Sequence, residues 1–383
     1  MIARLPLPVG MANRSMPLDA LRCLAVSLVI GFHVAVESDP IALDAAARWL
    51  GRYGPLGVDI FFPLSGFLIT GFLLRRHAPA DIRVFFLRRV FRILPLYLAA
   101  VATYAVASMM TGNETDLIAR LWIPLTFLTG WMIFADGAAT VPYTITWSLS
   151  VEEFAYILFG LAALAAGRRL VAVLAGVAIF AILLRIALIS NGATDVHFLP
   201  PARLDAIAIG GLLAALRPAE GTRWRQIAPP LALGAAAAFA LWYWSAAPAF
   251  SATGWYLAIT FSTCTAITLL VGPLATGGRH LSEAQGLLGG LLRFSALIGF
   301  YSYFIYLFHY FAVFGVNLIL DQAGLSLGYW LRCALVLMLT TLAAAVSHRW
   351  FEAPMMRLGR WLEIGRLQRE AQPPAAPALT GRR

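Results

Sequence analysis

Arg22 and His33 stand eleven positions apart in the apolar run L-D-A-L-R-C-L-A-V-S-L-V-I-G-F-H over residues 18–33. At about 100° and 1.5 Å per residue, both side chains fall on nearly one helix face, about 16 Å apart along the axis. A guanidinium offers a planar fork for phosphate, and an imidazole is a general base near neutral pH. Such groups are costly in hydrocarbon and mark functional sites by default. The pair reads equally well as an arginine snorkelling to the interface and a histidine satisfied by helix packing.

Other polar groups interrupt apolar runs in the same way. Asp59 and Ser65 lie in P-L-G-V-D-I-F-F-P-L-S-G-F-L-I-T, Glu152 and Glu153 in W-S-L-S-V-E-E, Arg203 and Asp205 in R-L-D. Arg88, Arg89 and Arg92 precede Pro95 and Tyr97, with Arg89 and Arg92 on one helix face at i, i+3. Tyr303, Tyr306 and His309 share the stretch Y-S-Y-F-I-Y-L-F-H, where a tyrosine–histidine hydrogen bond would satisfy the pattern without chemistry. Cys23, Cys264 and Cys333 all fall inside apolar runs, so neither a disulfide framework nor a thiolate metal site is indicated.

The elements that position these groups are membrane helices. Of 383 residues, 60% are hydrophobic and 13% charged, against about half and a quarter in soluble domains. The apolar runs are continuous and about 20 residues long, which fits helices and not a β-barrel. The fold class is an all-α polytopic bundle of about ten spans, near 17–37, 55–74, 92–110, 147–166, 169–189, 200–217, 229–247, 253–275, 296–320 and 328–351. An eleventh candidate, 117–135, carries Arg120 and Pro124. If it does not cross, every arginine-rich connection lies on one face, so the positive-inside rule makes it an external re-entrant piece and puts both termini in the cytoplasm. The net charge of +10 is all arginine and sets orientation; no nucleic acid partner is implied. The connection 75–91 reads as an amphipathic helix on the membrane surface. The expected domains are a cytoplasmic segment 1–16, a membrane domain 17–352 and a basic, Pro/Ala-rich cytoplasmic tail 353–383, with the first span retained.

This topology places His33, Asp59, Glu152, Glu153, Arg203 and Asp205 in one layer in the outer third of four spans. Singly, Asp59, Arg203 and Asp205 fit structural ion pairs or caps. Together, the six fit a polar cavity opening outward. Arg22, Arg88, Arg89 and Arg92 gather at the cytoplasmic end, as phosphate ligands or as plain orienting charge.

In order along the chain, Arg22-x10-His33, G-V-D-I-F-F-P-L-S-G-F-L-I, R-R-V-F-R-I-L-P-L-Y, W-S-L-S-V-E-E, R-L-D and Y-S-Y-F-I-Y-L-F-H resemble the acyltransferase family 3 of integral-membrane O-acyltransferases. The resemblance implies transfer of an acyl group, usually acetyl, from cytoplasmic acyl-CoA to a hydroxyl of a cell-surface or exported glycan, at the bacterial inner membrane. It implies that His33 is catalytic with support from Glu152 and Glu153 and that Arg22, Arg88, Arg89 and Arg92 hold the donor. Asp59, Arg203, Asp205, Tyr306 and His309 then face the acceptor. No cofactor is bound permanently, and membrane lipid and a glycan or lipid-linked glycan are the expected partners. Pro63, Phe154, Ala155 and Phe311 depart from the family's usual residues, and no fused esterase-like domain is seen, which reads as a stand-alone enzyme. In the expected mechanism Glu152 fixes the His33 tautomer. The rival reading is a transporter or flippase of a lipid-linked glycan using the same charged layer, though no internal repeat supports it.

Overall fold

The computed structural model describes residues 14–39, 43–75, 78–112, 118–216 and 286–370, together with Met11 and Ile41. The expected spans near 229–247 and 253–275, Cys264, His77, His280 and the tail from Ala371 lie outside these residues. Among the described residues there is no strand, and seven helices are long and apolar enough to cross a membrane. The chain is an all-α polytopic membrane protein.

Six helices carry the first half of the bundle: α1 (Met16–Val36), α2 (Ala45–Tyr53), α3 (Leu56–Leu73), α4 (Pro79–Thr111), and the short α5 (Trp122–Leu125) and α6 (Thr129–Asp136). They are followed by α7 (Trp147–Ala166), α8 (Leu170–Ser190), α9 (Leu204–Leu216), α10 (Gly286–Phe300), α11 (Ser302–Ala323), α12 (Tyr329–Ser347) and α13 (Ala353–Glu370).

Three elements differ from the sequence expectation. The stretch expected as a separate surface helix is the first half of α4, a single helix of 33 residues. Nothing in the sequence breaks it: Pro79 opens it, and the interior Pro95 is accommodated. At about 1.5 Å per residue α4 is near 50 Å long, well beyond a 30 Å hydrocarbon core. Its first half is braced by α13, whose Gly359 packs on the Phe91 side chain and whose Glu363 takes a two-point ion pair from Arg88, at 2.9 and 2.6 Å. The span expected at 296–320 is instead interrupted at Tyr301, between α10 and α11. The last span continues through a π-helical turn, His348–Glu352, directly into α13.

Segment 117–135 folds as α5 and α6, of four and eight residues, too short to cross. Its backbone is satisfied by the bundle. Tyr97 donates to the Pro124 carbonyl at 2.7 Å and stacks on Phe127, and Gly130 N–H donates to Ser150 Oγ at 3.2 Å. Ile123, Thr129 and Ile133 are fully buried, so the segment plugs one end of the bundle as a packed floor for the site.

Helices α3 and α9 pack in close backbone contact. A Cβ on Gly66 would stand 1.8 Å from the Ile207 carbonyl oxygen, and one on Gly210 2.1 Å from that of Pro63. Small residues permit this approach in membranes. Gly66→Val parts the two helices at an overpacking cost of about 1–3 kcal/mol. The expected result is a lower Tm in detergent by scanning fluorimetry; an unchanged Tm would contradict this packing.

Candidate active site

His33 sits in the C-terminal half of α1, half-buried, one turn after Val29. Its Nδ1 lies 2.9 Å from the Val29 carbonyl oxygen and 3.2 Å from Nε2 of His309. In turn, Nδ1 of the fully buried His309 lies 2.6 Å from the Tyr306 carbonyl oxygen. A carbonyl only accepts, so in both neutral rings the proton is assigned to Nδ1. His309 Nε2 is then a lone pair that accepts from His33 Nδ1–H. The basic atom left to His33 is Nε2. Two main-chain carbonyls thus select the tautomer that a general base requires.

His33 lines a cavity of about 360 Å³ with Asp59, Trp147, His197, Phe198 and Tyr306. His197, in the turn between α8 and α9, lies against Trp147 with ring centroids 4.9 Å apart and the rings tilted by 54°. Burial, with the nearby Arg203 and Arg185 guanidiniums, holds His197 well below the ordinary histidine range, so it is neutral.

A second cavity, about 150 Å³, is lined by Arg22, Arg89, Arg92, Glu152, Ser65 and Tyr156 among others. Arg22 is oriented by Asp19, to which it donates at 2.6 Å. The Arg89 guanidinium lies 3.5 Å from the centroid of the Tyr156 ring, a cation–π contact. Glu152 accepts from Ser65 at 3.1 Å and from the Tyr156 hydroxyl. It is the carboxylate among three arginines. Val58 and Tyr306 line both cavities and form the wall between them. Tyr306 is fixed there: its hydroxyl donates to the Ile145 carbonyl at 2.8 Å and accepts from Ser148 at 2.7 Å.

The expected single layer of six groups is therefore two chambers. His33 and Asp59 share one; Glu152 belongs to the other, with Arg22, Arg89 and Arg92. The span carrying Glu152 begins at Thr144, so this residue lies more than two turns in, deeper than a span starting at Trp147 would put it. It cannot fix the His33 tautomer, a role taken by Val29 and His309. Glu153 lines neither cavity, because adjacent helix positions diverge by about 100°; its Oε1 is buried with no hydrogen-bond partner among the described residues. Arg88 turns away from Arg89 and Arg92 to Glu363 on α13. Arg203 and Asp205 line neither cavity: Arg203 is ion-paired with Asp59, and Asp205 with Arg185. These are buried ties between helices, and Asp59 reaches the His33 chamber only as the partner of Arg203. His309 likewise lines neither chamber and acts on His33.

Sequence reasoning passed over Asp19, Tyr156, Arg185 and His197. The spacing Asp19–Arg22 (i, i+3) and Glu152–Tyr156 (i, i+4) carries the signal for the first two. Arg185, fully buried inside an apolar run, also donates to the Ala202 carbonyl at 2.9 and 2.6 Å.

A family model described as an acyltransferase domain (Acyl_transf_3) matches residues 18–349. The chain is similar to O-acetyltransferase OatA of Staphylococcus aureus strain NCTC 8325, at 26% identity over 380 residues, covering 89% of this chain and 57% of that protein. OatA of strains COL and MRSA252 match to the same extent. The chain spans little more than half the length of these curated relatives. No solved structure matches it.

Proposed function

Because the chain belongs to acyltransferase family 3, matched over residues 18–349, we propose that it is an O-acyltransferase moving an acetyl group from acetyl-CoA to a hydroxyl of a cell-surface or exported glycan. The observation that carries this reading is the pair of chambers meeting at Val58 and Tyr306, one lined by arginines and the other holding a histidine with a free Nε2.

In this reading the protein lies in the bacterial inner membrane with both termini cytoplasmic. The donor enters from the arginine side, and its thioester reaches past Val58 and Tyr306. A glycan hydroxyl enters the other chamber, whose aromatic wall of Phe32, Trp147 and Phe198 suits a sugar ring. His33 Nε2 takes the hydroxyl proton as the oxygen attacks the thioester carbon. The carbonyl π pair moves to oxygen, then returns as the C–S bond breaks. The thiolate leaves and takes the proton from the His33 imidazolium, which restores the base. His309 Nε2, accepting from His33 Nδ1–H, stabilises that imidazolium between the two steps.

Mass spectrometry of surface and secreted glycans from cells with and without the gene tests the reading. An alkali-labile acetyl ester present only with the gene is the expected result. Altered glycan export with no ester would replace it with the flippase reading. A second prediction separates the arginines. Arg89→Ala or Arg92→Ala raises KM for acetyl-CoA about tenfold or more, the worth of one charge-assisted contact. Arg88→Ala raises KM by less than either, because Arg88 acts only by holding α13 to α4 through Glu363. Equal effects of all three on KM would refute the division seen between them.

A further inference from the structure

A third cavity, about 1230 Å³, lies between the segment before α1 and helices α4, α10, α11, α12 and α13. It shares Arg92 and Tyr303 with the arginine chamber, just as that chamber shares Val58 and Tyr306 with the chamber of His33. The three cavities are thus neighbours in succession, each sharing wall residues with the next.

The walls of this outermost cavity are strongly cationic. Arg14, Arg92, Arg349, Arg357 and Arg360 line it, against one carboxylate, Glu352. Arg14 is already committed to Asp19, at 2.9 and 2.5 Å. None of the other four is ion-paired within the described residues. Arg349, Arg357 and Arg360 are exposed. Orientation of a membrane protein explains arginines near a cytoplasmic face, but not their convergence on one cavity that borders the arginine chamber. The backbone is specialised here as well. The π turn His348–Glu352 carries Arg349 and Trp350, and π bulges recur at functional sites. Arg349 lies over the exposed Trp350 ring, at 5.6 Å, as the start of a stack that a flat aromatic base extends.

We propose that this vestibule is a subsite for a nucleotide bearing a diphosphate and a separate phosphomonoester, held by Arg349, Arg357 and Arg360 with its base beside Trp350. Resting on the acetyl-CoA reading above, it is the dock for the donor's head group, and Arg92 is the point at which the pantetheine arm turns into the bundle. The C-terminal helix α13 then belongs to the donor site, outside the membrane layer that the apolar runs define.

Calorimetric titration of the full chain in neutral detergent decides the matter, with coenzyme A, its 3′-dephospho form and pantetheine as probes. Wild type is expected to bind in that order, tightest first. Arg357→Gln/Arg360→Gln, at exposed positions, weakens coenzyme A binding about tenfold or more while pantetheine binding stays the same. Coenzyme A and pantetheine binding alike in wild type, or the variant binding coenzyme A as tightly as wild type, would overturn the proposal. So would an effect of the variant seen only on association with vesicles containing phosphatidylglycerol, which would assign the arginines to lipid headgroups. The readout is independent of catalysis. Glycans that lack the ester despite tight coenzyme A binding contradict the acyl-transfer reading alone, and a variant with wild-type affinity contradicts the vestibule alone.

Discussion

His33→Ala lowers ester formation by about 10²–10⁴-fold, the contribution of a positioned general base, in a protein that still reaches the membrane at wild-type amount. The side chain lines a cavity and its ring is held by a carbonyl and a second histidine, so removing it takes away chemistry and little packing. The companion variants sharpen the result. His309→Ala removes the acceptor of His33 Nδ1–H but leaves the Val29 carbonyl, so transfer falls less than in His33→Ala. His309→Gln keeps an acceptor in place and falls less again. Glycan-bound acetyl per unit of membrane protein is the measurement. A His33→Ala protein that acetylates at the wild-type rate would refute the assignment, and equal loss in His309→Ala and His309→Gln would refute the tautomer argument.

Arg203→Ala destabilises the fold by about 3–5 kcal/mol, because breaking a buried pair from one side strands the other charge. Arg203 is fully buried and ion-paired with Asp59, which is 2% exposed, so the variant leaves a carboxylate without its counter-ion in the bundle. The neighbouring cation, Arg185, is already paired with Asp205. Removing both partners, as in Asp59→Asn/Arg203→Gln, recovers much of the loss. Urea or thermal unfolding in detergent reads this directly. A ligand for substrate would behave otherwise: KM would rise with the unfolding midpoint unmoved, and that outcome would return Arg203 to the acceptor site.

Most of the described spans and the axial separation of Arg22 from His33 were legible in the sequence for one reason. Bilayer thickness and the 3.6-residue turn act along a single helix, and both leave periodic traces. What decides partners acts between helices. Asp59 and Arg203 lie 144 positions apart, and His33 and His309 lie 276 apart, with no local pattern linking either pair. Helix rotation is equally silent. W-S-L-S-V-E-E offers two adjacent glutamates, and only packing decides that Glu152 faces the arginines. Depth was misjudged where a span starts early: the turn Thr144–Thr146 draws Glu152 a turn further in. Arg185 was lost in a run whose remaining residues are almost all apolar. The unbroken α4 shows the opposite failure, a boundary inferred from amphipathic character where the chain has no residue to make one.

The wall made by Val58 and Tyr306 has a consequence for the membrane as a barrier. Arginine cavities approach it from one end of the bundle and the histidine chamber from the other, so the low-dielectric layer that holds back ions is locally reduced to these side chains. Tyr306 is tied at its hydroxyl to Ile145 and Ser148, and its own carbonyl is engaged by His309. That immobility keeps water on the two sides from joining into a wire along which protons would run down their gradient. Under the proposed transfer, this wall has to admit a slender thioester and stay electrically closed around it.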